Sequence, residues 1–320
     1  MSTITERLKA QAKIIGFHAV GIASASQLGE AAVALPGARS IVAVALSYFY
    51  RPTCVDCGDF TPESPGPRGR VSRFAWGLDY HIVMERKLRT LASWLKEETN
   101  CDSLACADTG PMRDRAAAQL SGIGWYGKNC MIIVPSYGSW VVLGELITTA
   151  DLTPDAPTTI DRCGSCELCM KACPTGAIVK PFMLDANRCI SHLTQMKGSA
   201  PVELRRMIGD RVYGCDVCQD VCPQNRNALP TMENDFICAV PPGRRPALIP
   251  LARMTQEEFK RDISTNTMAW IRRTRLRRNA IVALGNSGSA LAAPVLTECL
   301  ADKDSVIREH AEWALAQIGI

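Results

Sequence analysis

Residues 163–223 hold eight of the chain's 15 cysteines, seven in two spaced runs and one alone between them. The first run is Cys163-x2-Cys166-x2-Cys169-x3-Cys173-Pro174, and the second is Cys215-x2-Cys218-x3-Cys222-Pro223. Thiolates at this spacing hold four-iron clusters, and the cysteine before the proline ligates the other cluster. The exchange predicts one cluster on Cys163, Cys166, Cys169 and Cys222. The second takes Cys173, Cys215 and Cys218, with Cys189 as its fourth ligand. Structural zinc or disulfides would also use dense cysteines, but they leave the Cys-Pro endings and the x3 spacing unexplained.

Clusters move electrons without naming a substrate, so the reacting group should lie upstream. Asp108 is the candidate acid. It falls between a predicted strand and a helix, in an Asp-Thr-Gly-Pro turn, where α/β sheets bind ligands. A poorly solvated carboxyl there has a raised pKa and can donate a proton. The alternative is a helix N-cap. Residues 71–81 mix aromatic, polar and glycine residues that could line a flat ligand, or simply dock Trp76 and Tyr80 into the core. His81 in this stretch could bind a metal or be structural. Gly127-Lys128-Asn129 lacks the spacing of a phosphate loop and reads as a tight turn. Cys54 and Cys57 form a lone CxxC, which does not make a site. Arg272, Arg273, Arg275, Arg277 and Arg278 stand within seven residues, with Arg205, Arg206, Arg244 and Arg245 elsewhere. Such a stripe suits RNA phosphates, or is a solvated helix face.

The elements that must position these groups divide into three parts. Residues 1–155 read as an α/β domain. It has helices over 4–15, 80–98 and 113–120, strands over 19–23, 40–48 and 104–107, and a hairpin of 131–134 with 140–148. Residues 156–230 form a ferredoxin-like domain for two [4Fe-4S] clusters. Residues 231–320 are α-helical, and 277–288 aligns with 308–319 at a period of 31 like HEAT-type repeats. The formal net charge is only +4, so nucleic-acid binding rests on local clustering. The chain has no stretch of ~18 apolar residues that would make a membrane helix and no signal-peptide core. It reads as cytoplasmic, where dense thiols favour metal over disulfides.

Eight stretches in order resemble the epoxyqueuosine reductase family: 35–48, 72–81, 108–129, 138–149, 163–178, 189–198, 213–225 and 277–286. The most specific are DTGP, GWYGKN, CISHLT and YGCDVCQDVCP. The resemblance implies an oxidoreductase that uses cobalamin and two [4Fe-4S] clusters to reduce epoxyqueuosine in tRNA to queuosine. It implies an N-terminal cobalamin-binding domain and an external low-potential electron donor, in a monomer. Asp108 matches the family's proton donor and Cys189 its eighth cluster ligand. Ser72 and Ser191 match positions near cobalamin, and Lys197 lies near a tRNA-contacting stretch. Members usually carry about two dozen more residues between Ala25 and Leu35, and longer members have longer helical tails. A ferredoxin-type electron carrier, or a corrinoid iron–sulfur reductase of the reductive dehalogenase kind, is the alternative.

Overall fold

A computed structural model describes residues 2–51, 64–108, 110–159 and 161–320; the Cys54–Cys57 motif lies outside them. The chain forms two compact units. One comprises Met1–Arg51, Tyr80–Glu167 and Val221–Asp235, and the other comprises Pro52–Asp79, Leu168–Asp220 and Phe236–Ile320.

The first unit is built on a four-stranded sheet. Its order across the sheet is Ala19–Ser24, Ser40–Ser47, Val141–Thr148, Ser103–Cys106. Every pair is antiparallel. The rule that parallel α/β sheets bind ligands at their strand ends therefore does not apply to Asp108. All eight positions of Ser40–Ser47 are buried, as its unbroken apolar run predicts. Successive residues of Val141–Thr148 face opposite sides. Gly144 meets the helix Tyr80–Thr99, where an added Cβ would stand 2.8 Å from Met84 Sδ. Glu145 faces the other way, toward the helix Asp114–Leu120 and a layer of small side chains that includes Ala43, Cys106, Ala117 and Ala118.

The predicted hairpin is only partly realised. Ile132–Ile133 pairs with Trp125–Tyr126, and Val134 meets Gly138 in a single bridge. Val141–Thr148 turns instead to the main sheet, where its long apolar face has two strand neighbours. Between Ala25 and Leu35 a 3-10 turn and the helix Gly29–Ala34 connect the first two strands.

The second unit is mostly helical, with a short parallel pair of Arg70–Val71 and Arg211–Tyr213. Its centre is the helix Arg272–Ser287, which is buried continuously from Leu276 to Gly285. This helix packs on Ser305–Gln317 at the repeat positions. Ala280, Ala283, Leu284, Ala311, Ala314 and Leu315 are all buried. At Gly285 a Cβ would come within 2.8 Å of Ala314 Cα, so the close helix contact requires glycine. Among the described residues no helix is long and apolar enough to cross a membrane.

Candidate functional site

Asp108 follows the strand Ser103–Cys106 and adopts a left-handed φ of +55°. Two side chains from the start of the helix Tyr80–Thr99 hold it. Tyr80 donates its hydroxyl to Asp108 Oδ2 at 2.5 Å, and His81 Nε2 lies 3.6 Å from the same oxygen. The Tyr80 and His81 rings stack with centroids 4.0 Å apart. Asp108 is not a helix cap, because that position before Asp114–Leu120 belongs to Arg113. Its side chain is 58% exposed. The His81 hydrogen bond holds its carboxyl below the usual range; partial burial opposes this, and Tyr80 and the Arg115 charge reinforce it. The expected raised pKa is thus corrected: donors and cations stabilise the carboxylate, so Asp108 is an anion in the free chain.

Two further acids stand near Asp108. Asp114 opens the next helix and is half-buried. Glu145 is fully buried in the central strand, opposite Cys106 on one neighbour and Ala43 on the other. Neither Glu145 carboxyl oxygen has a hydrogen-bond partner of good geometry among the described residues. Burial pushes the Glu145 pKa well up, and the Asp114 charge, a side-chain contact with Asp114 and the Asp108 charge add to it. Burial and then the Asp108 charge raise Asp114 as well. Burial, with Glu145 and Asp114 nearby, pushes the Cys106 thiol up to about 11. Sequence reading passed over Glu145; its signal is a lone acid within the apolar run 140–148.

None of the eight candidate cluster cysteines is in a disulfide. In the first unit, Cys163, Cys166 and Cys222 are close enough to influence one another. Burial raises the Cys222 thiol, the Gln224 N–H opposes this, and Cys163 and Cys166 add to the rise. Lys128 of the Gly-Lys-Asn turn donates to the carbonyls of Gly164 at 2.5 Å and Cys166 at 3.2 Å, so this turn clasps the first run. Asn225 fixes the end of the second run, accepting from Ser139 N at 2.7 Å and donating to Ser139 Oγ at 2.9 Å.

In the second unit Cys169 lies on the helix Leu168–Ala172, which packs against Val217–Asp220 carrying Cys218. Burial pushes Cys218 well up, and Cys215, Cys189 and Cys169 add to it, so Cys169, expected on the other cluster, also stands near these three thiols. At Cys173 burial is outweighed by hydrogen bonds from Thr175 and from the Ala177 N–H, which stands 3.3 Å from the sulfur. Thiols crowded together in this way suit a cationic iron core, which binds them as thiolates, so this donor set fits clusters.

The remaining candidates divide. Ser72 is buried and its hydroxyl donates to Asp216, whose other oxygen takes the Arg73 N–H at 2.9 Å. Ser191 accepts from Gln195 Nε2 at 3.1 Å. Lys197 and Arg272 are exposed. Arg273 donates to the Met254 carbonyl at 3.1 Å. Arg275 donates to the Gln195 carbonyl at 2.6 Å and lies over the ring of Trp270, which is 55% exposed.

Arg277 and Arg278 are corrected as RNA contacts, because both are buried. Arg277 binds the Ala252 carbonyl and Asp302, and Arg278 binds the carbonyls of Leu193, Met196 and Gly198. Arg205 is likewise buried, paired with Glu309. In the first unit Trp125 Nε1 and Asn129 Nδ2 are buried donors with no acceptor among the described residues.

Comparison with known proteins follows this geometry. The family described as epoxyqueuosine reductase QueG matches residues 30–109, a 4Fe-4S double cluster binding domain matches 162–225, and HEAT repeats match 272–317. The epoxyqueuosine reductase of Bacillus subtilis (strain 168) is 44% identical over 291 residues, covering 89% of this chain and 73% of the relative. A crystal structure of epoxyqueuosine reductase with an epoxyqueuosine-modified tRNA-Tyr stem loop superposes with a TM-score of 0.87 at 38% identity, covering 98% of this chain and 90% of the other. A Bacillus subtilis epoxyqueuosine reductase structure, its catalytic aspartate loop swung out of the active site, gives a TM-score of 0.87 at 37% identity with the same coverage.

Proposed function

The chain belongs to the epoxyqueuosine reductase family, and on that premise we propose that it removes the epoxide oxygen of epoxyqueuosine in tRNA to give queuosine. The observation that carries the reading is Asp108, a carboxyl held by Tyr80 and His81 and open to an incoming base. The reaction consumes two electrons and two protons, and the oxygen leaves as water.

The electrons come from an external low-potential one-electron donor. Cys163, Cys166, Cys169 and Cys222 hold one four-iron cluster, and Cys173, Cys189, Cys215 and Cys218 hold the second. The buried, unpartnered donors of Trp125 and Asn129 suit a ligand rimmed with amide carbonyls, as cobalamin is. Bound cobalamin supplies the strongly reducing cobalt that cleavage of the carbon–oxygen bond requires. Ser72 and Ser191 are proposed to stand on its side of the site.

Asp108 provides the proton. Free in solvent it is ionised, but a base laid over it excludes water, and desolvation raises a carboxyl's pKa. The loaded acid then protonates the departing oxygen, which would be a poor leaving group as an alkoxide. Lys197, Arg272, Arg273 and Arg275 are proposed to hold the RNA phosphates. Trp270, missed in the sequence, offers an exposed ring on which a base can stack. The enzyme would act as a monomer on tRNA in the cytoplasm.

The test is anaerobic reconstitution, addition of cobalamin, a low-potential reductant and an epoxyqueuosine-bearing stem loop, and mass spectrometry of the digested RNA. We expect queuosine, with about eight iron atoms per chain. No queuosine from fully loaded protein would overturn the proposal, and a stable iron content near half that value would remove one cluster.

A further inference from the structure

Reducing an epoxide to an alkene breaks two C–O bonds and forms two O–H bonds and one carbon–carbon π bond. Two protons are therefore needed in one turnover, while Asp108 carries one at a time. Once a base covers Asp108, the direct path from solvent is narrowed. A second proton source within the protein would remove that limit.

We propose that Glu145 and Asp114 form a proton reserve for Asp108. This rests on the reading of the chain as an epoxide reductase. Glu145 holds a proton inside the sheet, hands it to the Asp114 carboxylate, and Asp114 reloads Asp108 after its first transfer. Each hand-off breaks one O–H bond and forms another, and the two electrons come from the external one-electron donor. After product leaves, solvent recharges the pair through Asp108. Neither Glu145 nor Asp114 touches a reacting atom; both act through Asp108.

The placement supports this. Glu145 is 0% exposed, on a central strand, with both oxygens lacking partners of good geometry among the described residues. The titratable groups around it are Cys106 from the adjoining strand, Asp114 from the helix on that face, and Asp108 beyond the strand end. The opposite strand presents Ala43. The nearby cation, Arg115, acts on Asp108 and Asp114. A fully buried carboxyl beside a second acid takes up a proton rather than stay charged. A buried acid whose side-chain neighbour is another acid lowers stability, so a purely structural role would be better served by an apolar side chain. Its acidic neighbour Asp114 is in turn influenced by Asp108, the carboxyl proposed to face the substrate.

The experiment uses the full chain with clusters and cobalamin. Infrared spectroscopy at neutral pH, with no turnover, should show a protonated-carboxyl C=O band that Glu145→Gln removes. In the reductase assay Glu145→Gln should lower kcat by roughly tenfold or more, with KM for the stem loop and iron content unchanged. Wild-type kcat should fall as pH rises through the raised Glu145 pKa; the variant should lose that limb, and Glu145→Asp should restore part of it. Asp114→Asn, at the edge of the core, should give the same kcat loss, and it carries the test if Glu145→Gln does not fold. Wild-type kcat and pH profile in a folded variant, or no protonated-carboxyl band in the wild type, would overturn the reserve. If the wild type makes no queuosine, the reductase reading fails instead, and the infrared band still decides whether Glu145 holds a proton.

Discussion

Asp108→Asn keeps the side chain's size and can still accept the Tyr80 hydroxyl, but it cannot carry a proton. Iron content and stem-loop binding should match the wild type, while kcat falls by about 100-fold or more. Turnover near wild type would remove Asp108 as the acid. The double-cluster domain could be read from the sequence because cluster ligation imposes a short local spacing. Asp108 could be located from its Gly-Pro turn, but the direction of its pKa could not. That direction depends on Tyr80 and His81, which the fold brings from another element. Glu145 was visible as an acid among apolar residues, yet its meaning depends on Asp114 on a separate helix.

The helix Arg272–Ser287 separates two kinds of arginine that look alike in sequence. Arg278 is fully buried, and burial lowers its pKa to about 10. Arg278→Ala would leave the carbonyls of Leu193, Met196 and Gly198 without their donor, costing about 3 kcal/mol or more. Arg272→Ala should change stability by less than ~0.5 kcal/mol but weaken stem-loop binding and lower its salt dependence. Urea denaturation and binding titrations at several salt concentrations distinguish the two. The helix was legible from its apolar period, and the repeat from its spaced alanines and glycines. Which arginines point inward was not, because the acceptors belong to loops some 80 residues upstream. The hairpin failed for a similar reason: a strand's partner is chosen by the whole sheet, and adjacency in sequence is only one contender.

At the scale of the whole molecule, pH response is set by groups that packing isolates. His310 is fully buried; its Nε2 accepts the Ala200 N–H at 3.2 Å and its Nδ1 meets the Val306 carbonyl at 2.7 Å. Burial, chiefly, lowers its pKa from 6.5 to about 4. Between those values the unfolded chain binds a proton that the folded chain does not. Stability should therefore fall by about 3 kcal/mol as pH drops from 6.5 to 4. His310→Gln should flatten that part of the stability curve, read from urea midpoints; an unchanged slope would exclude His310 as its source. The sequence divides into three consecutive parts by composition, whereas the compact units are assembled from separated segments. Composition reports local chemistry and does not record which distant segments complete a core.

That interleaving has a consequence during synthesis. The first unit needs Val221–Asp235, which supplies Asn225 to Ser139, Thr231 N–H to the Phe49 carbonyl and Glu233 to Lys87. A ribosome must therefore translate residues 168–220 before the amino-terminal sheet receives its last segment, a delay of several seconds at roughly 5–20 residues per second. By the end of that interval seven of the eight candidate cluster cysteines have been translated, while Cys222 has not. The nascent chain is thus open to oxidation before its metal can be fully enclosed, and expression in air should yield less folded protein than expression with oxygen excluded.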